Sequence, residues 1–127
     1  MKRVLIVDDS PTMRRMIMSS LRPIPEAEFT EASNGLEAIE KLSLGPVALM
    51  VLDLNMPEMH GLDVLRFLRS HEPFKFLPVI VLTTKDDQES RQDARDAGAT
   101  LYLTKPFQPR TLLENAMRVL EEVKTRS

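Results

Sequence analysis

The chain of 127 residues contains no cysteine. A disulfide framework, a thiolate nucleophile and a zinc–thiolate centre are therefore excluded, and a reducing compartment is the expected setting. Long hydrophobic runs are also missing. The longest apolar stretch, Val47 to Leu52, falls far short of the ~20 residues that a bilayer-spanning helix requires. The run near the start, Val4 to Val7, stops at Asp8 and Asp9 before it could form a signal-peptide core. Nor is there an excess of positive charge: 17 Lys and Arg against 19 Asp and Glu leave a net charge of −2, which offers no field for nucleic acid or anionic lipid. The expectation is a soluble, cytoplasmic protein with no membrane insertion and no nucleic-acid partner. Internal repeats, linkers and low-complexity segments are absent too. What is present is 43% apolar residues at a mean hydropathy of −0.19 in 14.5 kDa. That suffices for a single domain over residues 1–127, burying roughly two thirds of the surface its unfolded chain exposes.

Short apolar runs at Val4 to Val7, Val47 to Leu52 and Val79 to Leu82 read as strands, and their lack of polar alternation implies burial on both faces. Segment 26–31 reads as a polar edge strand, and Thr100 to Leu103 as a short last one. Helical spacing fills the intervals. Ser10 caps a helix that has Pro11 in its first turn and Met13, Met16, Ile17 and Leu21 on one face, ending before Pro23. Asn34, with Glu37 three residues on, opens a helix whose inner stripe is Leu36, Ile39 and Leu42. After the turn-rich segment 56–61 comes a helix with Leu62, Leu65 and Leu68 inward and Arg66 and Arg69 outward. The stretch from about Asp86 to Ala97 has only Ala94 and Ala97 as apolar members, so it should dock weakly and be free to move. A last helix from about Pro109 buries Leu112, Leu113, Ala116, Met117, Leu120 and Val123. Five alternating strands and helices with right-handed crossovers predict a three-layer α/β fold around a five-stranded parallel sheet. Such sheets bind ligands beyond the carboxyl ends of their strands.

Four of the five strands finish on reactive polar side chains: Asp8 and Asp9, Asp53, Thr83 and, slightly beyond its strand, Lys105. Each alone reads as a solvated strand end or a helix cap; converging on one edge, they read as a site. Three carboxylates gathered in one crevice repel, each pair by on the order of 4 kcal/mol at ~4 Å and an effective dielectric near 20. Lys105 supplies one compensating charge. Oxygen ligands without nitrogen or sulfur suit a hard divalent cation completed by water and a phosphoryl group, which is Mg2+; the spacing of a calcium-binding EF-hand loop is absent. A carboxylate beside such an ion can accept a phosphoryl group, whose spread charge calls for a cation such as Lys105 and a hydroxyl such as Thr83. Asp53, alone at the end of the central strand, is the expected acceptor, with Asp8 and Asp9 as a metal-binding pair.

The motifs VLIVDDS, VLDLNMPEMHG, VIVLTT and YLTKPF together resemble the response-regulator receiver domains of two-component signalling, over essentially the whole chain. The opening DDSPTMRRM is similar to single-domain chemotaxis regulators of the CheY type. The resemblance implies a (βα)5 flavodoxin-like fold of strand order 2-1-3-4-5. It further implies a phosphorylation-activated switch, not an enzyme with a free substrate, that takes a phosphoryl group onto Asp53 from a sensor histidine kinase and catalyses its own phosphorylation and dephosphorylation. Asp9, Asp53 and the backbone carbonyl of Asn55 would hold Mg2+, with Asp8 acting through water. Thr83 and Lys105 would contact the phosphoryl oxygens, while Thr83 and Tyr102 would act as the switch. The surface of the fourth helix, fifth strand and fifth helix would then meet a downstream protein target such as the flagellar motor switch, with a phosphatase as a further partner. A cis Lys105–Pro106 bond is also implied. Thr84 departs from the pattern, since that position is usually very small in the family.

Other readings remain open at this level. The chain could be a receiver cut from a larger regulator, or a Mg2+-dependent phosphohydrolase acting through an aspartyl-phosphate. The latter would place its nucleophile on the first strand in an Asp-x-Asp pattern, whereas Asp8 and Asp9 are adjacent. A flavodoxin-like FMN carrier would need a Ser/Thr/Gly-rich phosphate loop where DDSPT puts anions. Tyr102 taken alone reads as a half-buried strand aromatic, His60 and His71 as surface residues, the methionines as adaptable core filler, and Arg14 and Arg15 as a solvated helix face.

Overall fold

The computed structural model describes residues 2–56 and 59–126, with side chains as far as residue 122. The apolar runs form the inner strands, paired on both sides, and two further segments pair on one side as edges. These are β1 (Lys2–Val7), β2 (Ala27–Ala32), β3 (Leu49–Leu52), β4 (Val79–Thr83) and β5 (Leu101–Thr104). They pair in parallel in the order β2-β1-β3-β4-β5, the flavodoxin-like arrangement. Between them run α1 (Pro11–Leu21), α2 (Gly35–Leu42), α3 (Gly61–Ser70), α4 (Gln88–Ala97) and α5 (Pro109–Arg126), with a 3-10 turn over Glu72–Phe74.

Alternation along the strands divides the core in two. Leu5, Val7, Met50, Leu52, Val79 and Val81 face α2, α3 and α4. Val4, Ile6, Leu49, Val51, Ile80 and Leu82 face α1 and α5. Every residue of β3 and β4 is buried, while β2 at the edge carries exposed Glu28 and Glu31. The start of β2 lies one residue later than its composition suggests, because Glu26 turns the chain at φ +61°.

The caps at Ser10 and Asn34 stand where the sequence places them, and Asp87 adds a third. Ser10 Oγ accepts from Met13 N–H, Asn34 Oδ1 from Glu37 N–H, and Asp87 from Ser90 N–H. Several helix faces differ from expectation. Met16 is 49% exposed and Leu36 51%, so the faces of α1 and α2 are rotated away from the largest residues. In α1, Ser20 shares the inner face with Ile17 and Leu21, its hydroxyl satisfied by the Met16 carbonyl at 2.8 Å. In α2 the small Gly35 and Ala38 face inward with Leu42. A Cβ on Gly35 would lie 2.6 Å from Met59 Cβ, so close packing on neighbouring residues, not side-chain size, sets the rotation. In α5, Val119 is buried and Met117 is exposed; Val123 lies outside the residues whose side chains are described. Arg69 does not point away. Its guanidinium donates twice to the Gly98 carbonyl, at 3.0 and 2.8 Å, and also to the carbonyls of Phe74 and Lys75.

Candidate functional site

Backbone pairing continues one residue past β1, β3 and β5, and that extra step carries the site. Asp8 N–H donates to Ala32 O at 3.1 Å, Asp53 N–H to Val7 O at 3.0 Å, and Lys105 N–H to Thr83 O at 2.8 Å. Side chains 97 positions apart in sequence are thereby held to the sheet by ladder hydrogen bonds. Gly61 completes the frame from the other side. A Cβ there would sit 2.6 Å from the Asp53 carbonyl oxygen, so only glycine lets the start of α3 pack onto the turn after β3.

The three expected acids meet at this edge. Asp8, Asp9 and Asp53 each present a carboxylate oxygen within 4.8 Å of the others, a grouping that could hold a metal ion. Asp8 and Asp53 are 1% and 5% exposed, whereas Asp9 is exposed. Lys105 Nζ donates to Asp8 Oδ2 at 2.6 Å and stands 3.6 Å from Asp53 Oδ2. Ser10 N–H donates to Asp8 Oδ1 at 2.9 Å, so both oxygens of Asp8 are engaged. Asp53 accepts Asn55 N–H on Oδ1, at 3.3 Å, its Oδ2 faces the ammonium at longer range, and the Thr83 hydroxyl stands near enough to favour its charged form without closing a hydrogen bond of good geometry. Burial pushes the Asp53 carboxyl above its ordinary range; Lys105 pulls the other way, and the charge of Asp8 adds to the rise.

Thr83 is fully buried, and its hydroxyl has no hydrogen-bond partner among the described residues. Leaving a buried hydroxyl unpaired costs about 1–3 kcal/mol. Beside three acids and a lysine, it is a donor held in reserve for an incoming oxygen. Donor chemistry and orphaned hydroxyl together fit a divalent ion and a phosphoryl group at one place. Thr84 follows, exposed, at the start of the loop that leads to α4.

Tyr102 lies half-buried against the α2–α3–α4 side of the core. Its hydroxyl donates to Lys85 O at 2.7 Å, and the Arg91 guanidinium lies 5.0 Å from the ring centre while pairing with Asp86 at 2.5 Å. Burial raises the Tyr102 phenol above its ordinary value. The Lys105–Pro106 bond is cis.

The chain matches the family described as response regulator receiver domain over residues 4–117. It belongs to that family. Among curated receivers it is 40% identical over 119 residues to chemotaxis protein CheY1 of Helicobacter pylori, covering 93% of this chain and 96% of that one. Among solved structures, chemotaxis protein CheY4 of Vibrio cholerae superposes with a TM-score of 0.86 at 37% identity, covering 94% and 98% of the two chains. A CheY-like receiver from Methanospirillum hungatei reaches a TM-score of 0.90 at 28% identity over 100% and 99%. Receivers of this type are signalling switches and not classical enzymes.

Sequence reasoning missed two residues around this receiver site. Arg14, expected on a solvated face, donates from Nη1 to the Asp8 carbonyl at 2.7 Å and from Nε to Glu31 at 2.9 Å. Its position four residues after the Ser10 cap, on the face that looks back along β1, was the available signal. His60, expected at the surface, caps α3 by accepting Leu62 N–H on Nδ1. The largest cavity described, about 730 Å³, lies at the other end of the sheet, between Lys2, Val47, Phe74 and Pro78. It is apolar and remote from all of these groups.

Proposed function

We propose that this chain is a free-standing, cytoplasmic, chemotaxis-type response regulator: a single receiver domain over residues 1–127 that takes a phosphoryl group onto Asp53 from a histidine kinase and then engages a downstream protein, such as the flagellar motor switch. A phosphatase would be a further partner. Identities of 38–40% with chemotaxis receivers support the chemotaxis-type reading. One observation carries the chemistry: three carboxylates, an ammonium and an unpartnered buried hydroxyl converge on one sheet edge.

Asp9, Asp53 and the Asn55 carbonyl would hold Mg2+, with Asp8 acting from behind because Ser10 and Lys105 already occupy its oxygens. Bound there, Mg2+ supplies charge neutralisation for the carboxylates and the incoming phosphoryl group. A carboxylate oxygen of Asp53 attacks phosphorus in line and the P–N bond to the kinase histidine breaks. The electron pair remains on the imidazole nitrogen, which takes a proton from water. Lys105 and the Thr83 hydroxyl then bind phosphoryl oxygens, and Lys105 exchanges part of its hold on Asp8 for the new anion. Reversal is self-catalysed: water attacks phosphorus, the P–O bond to Asp53 breaks, and phosphate leaves. Thr84, bulkier than the very small residue usual in the family, would bear on how readily that water approaches and so on the life of the phosphorylated form. Movement of Thr83 would reach α4 through the Lys85 carbonyl, where Tyr102 is anchored, and so alter the α4–β5–α5 surface.

The engagement of Asp8 by two protein donors, and the exposure of Asp9 against the burial of Asp53 beside Lys105, favour Asp53 over the first strand as nucleophile, and with it the switch over a phosphohydrolase. The test is incubation with acetyl phosphate and Mg2+, read by intact mass. The wild type gains one phosphoryl group, while Asp53→Asn, or the wild type with chelator, gains none; equal modification of Asp53→Asn overturns the assignment.

A further inference from the structure

Among the carboxylates at the sheet edge, Asp9 is the exposed one, and no hydrogen bond from the described residues holds its side chain. What remains to orient it is its backbone. The Asp8 carbonyl lies in the same rigid peptide plane as the Asp9 N–H and Cα, so fixing that oxygen fixes where the Asp9 Cα stands and leaves only φ and χ1 of Asp9 to bring its carboxylate toward an ion. Arg14 Nη1 donates to it at 2.7 Å. The other side of the same guanidinium donates from Nε to Glu31 Oε1 at 2.9 Å, and Glu31 directly precedes Ala32, whose carbonyl accepts the Asp8 N–H at 3.1 Å. One planar fork therefore ties the loop after β1 to the end of β2. Arg14 is itself anchored in the first turn of α1, its N–H bonded to Ser10 O at 3.0 Å, and its side chain is only 15% exposed. The neighbouring Arg15, by contrast, is exposed and reaches only Thr12.

We propose that Arg14 is a positioning residue for the metal site, aiming Asp9 through the Asp8–Asp9 peptide plane with Glu31 as its counter-anchor. This rests on the divalent-ion reading of the three acids. Three carboxylates repel when no cation is bound, and Asp9, with nothing else to hold it, would swing toward solvent. Pinning the peptide keeps the site open in the geometry the ion needs. Lysine cannot replace Arg14, because a single ammonium on a flexible stem lacks the fixed fork that spans two acceptors.

The test is direct binding of Mn2+ to the full chain, followed by electron paramagnetic resonance, for wild type, Arg14→Gln, Arg14→Lys and Glu31→Gln. Melting curves in chelator accompany each titration. Outer-shell partners of metal ligands typically contribute 10–100-fold in affinity. Arg14→Gln should weaken Mn2+ binding by about tenfold, Arg14→Lys nearly as much, and Glu31→Gln by a smaller factor. A purely structural role would lower the melting temperature and leave affinity unchanged below it. Wild-type binding with equal affinity in the folded Arg14 variants overturns the proposal while the site reading stands. Should the Arg14 variants not fold, Glu31→Gln decides, and equal affinity there overturns it. Failure of the wild type itself to bind Mn2+ removes the site reading and this inference together.

Discussion

At the scale of single residues, the site holds charge where burial opposes it. Asp53 has its carboxyl raised, chiefly by desolvation. A carboxyl whose folded pKa exceeds its unfolded value contributes stability at low pH, and that contribution is lost as pH rises through the folded value. In chelator, the wild type should therefore melt a few degrees below Asp53→Asn at neutral pH. The gap should close as pH falls through the acidic range, and calorimetry of the two proteins across pH checks this. Lys105 links the acids, and its loss should leave metal binding intact but uncouple Tyr102 from phosphorylation. Tyr102 is the single tyrosine and there is no tryptophan, so intrinsic fluorescence reports on it alone. An undiminished fluorescence response in Lys105→Ala would count against that link. Asp8, Asp9, Asp53, Thr83 and Lys105 were legible in sequence because each ends an apolar run with a group that a buried strand would otherwise exclude. Arg14 and His60 were not, because a side chain that donates to a distant carbonyl or caps its own helix leaves no periodic trace.

At the scale of elements, α4 is the weakly held one. Only Ala94 and Ala97 are buried in it, as its composition predicts, and Arg69 grips its carboxyl end at Gly98. Its amide hydrogens should exchange faster than those of α3 or α5 by native-state exchange mass spectrometry. Gly98 sits at φ +110°, and a Cβ there would lie 2.5 Å from Arg69 Cγ. Gly98→Ala should thus cost about 1–3 kcal/mol through backbone strain and displacement of Arg69, measurable by urea denaturation. Helix faces were less legible than helix spans. Periodicity marks that α1, α2 and α5 exist, but the rotation of each depends on how closely small residues such as Gly35, Ala38 and Ser20 let it approach. Met16, Leu36 and Met117 were assigned inward from the spacing of apolar residues and lie outward.

At the scale of the molecule, the parallel order β2-β1-β3-β4-β5 does the assembling. It sets β1 beside β3 at the centre, so Asp8 and Asp53 project from neighbouring strands, and it brings Lys105 across from β5 to both. Local pattern predicts the alternation of strands and helices. It does not predict the order, because buried strands of similar composition can exchange places; that came from the resemblance. Once the order holds, the acids must share an edge, and their mutual repulsion calls for a divalent ion and an anion-binding lysine. The most direct test is reductive trapping of the acyl phosphate with borotritide after reaction with acetyl phosphate and Mg2+, followed by peptide mapping. Label confined to residue 53 is the predicted result; label at Asp8 or Asp9, or none at all, contradicts the account.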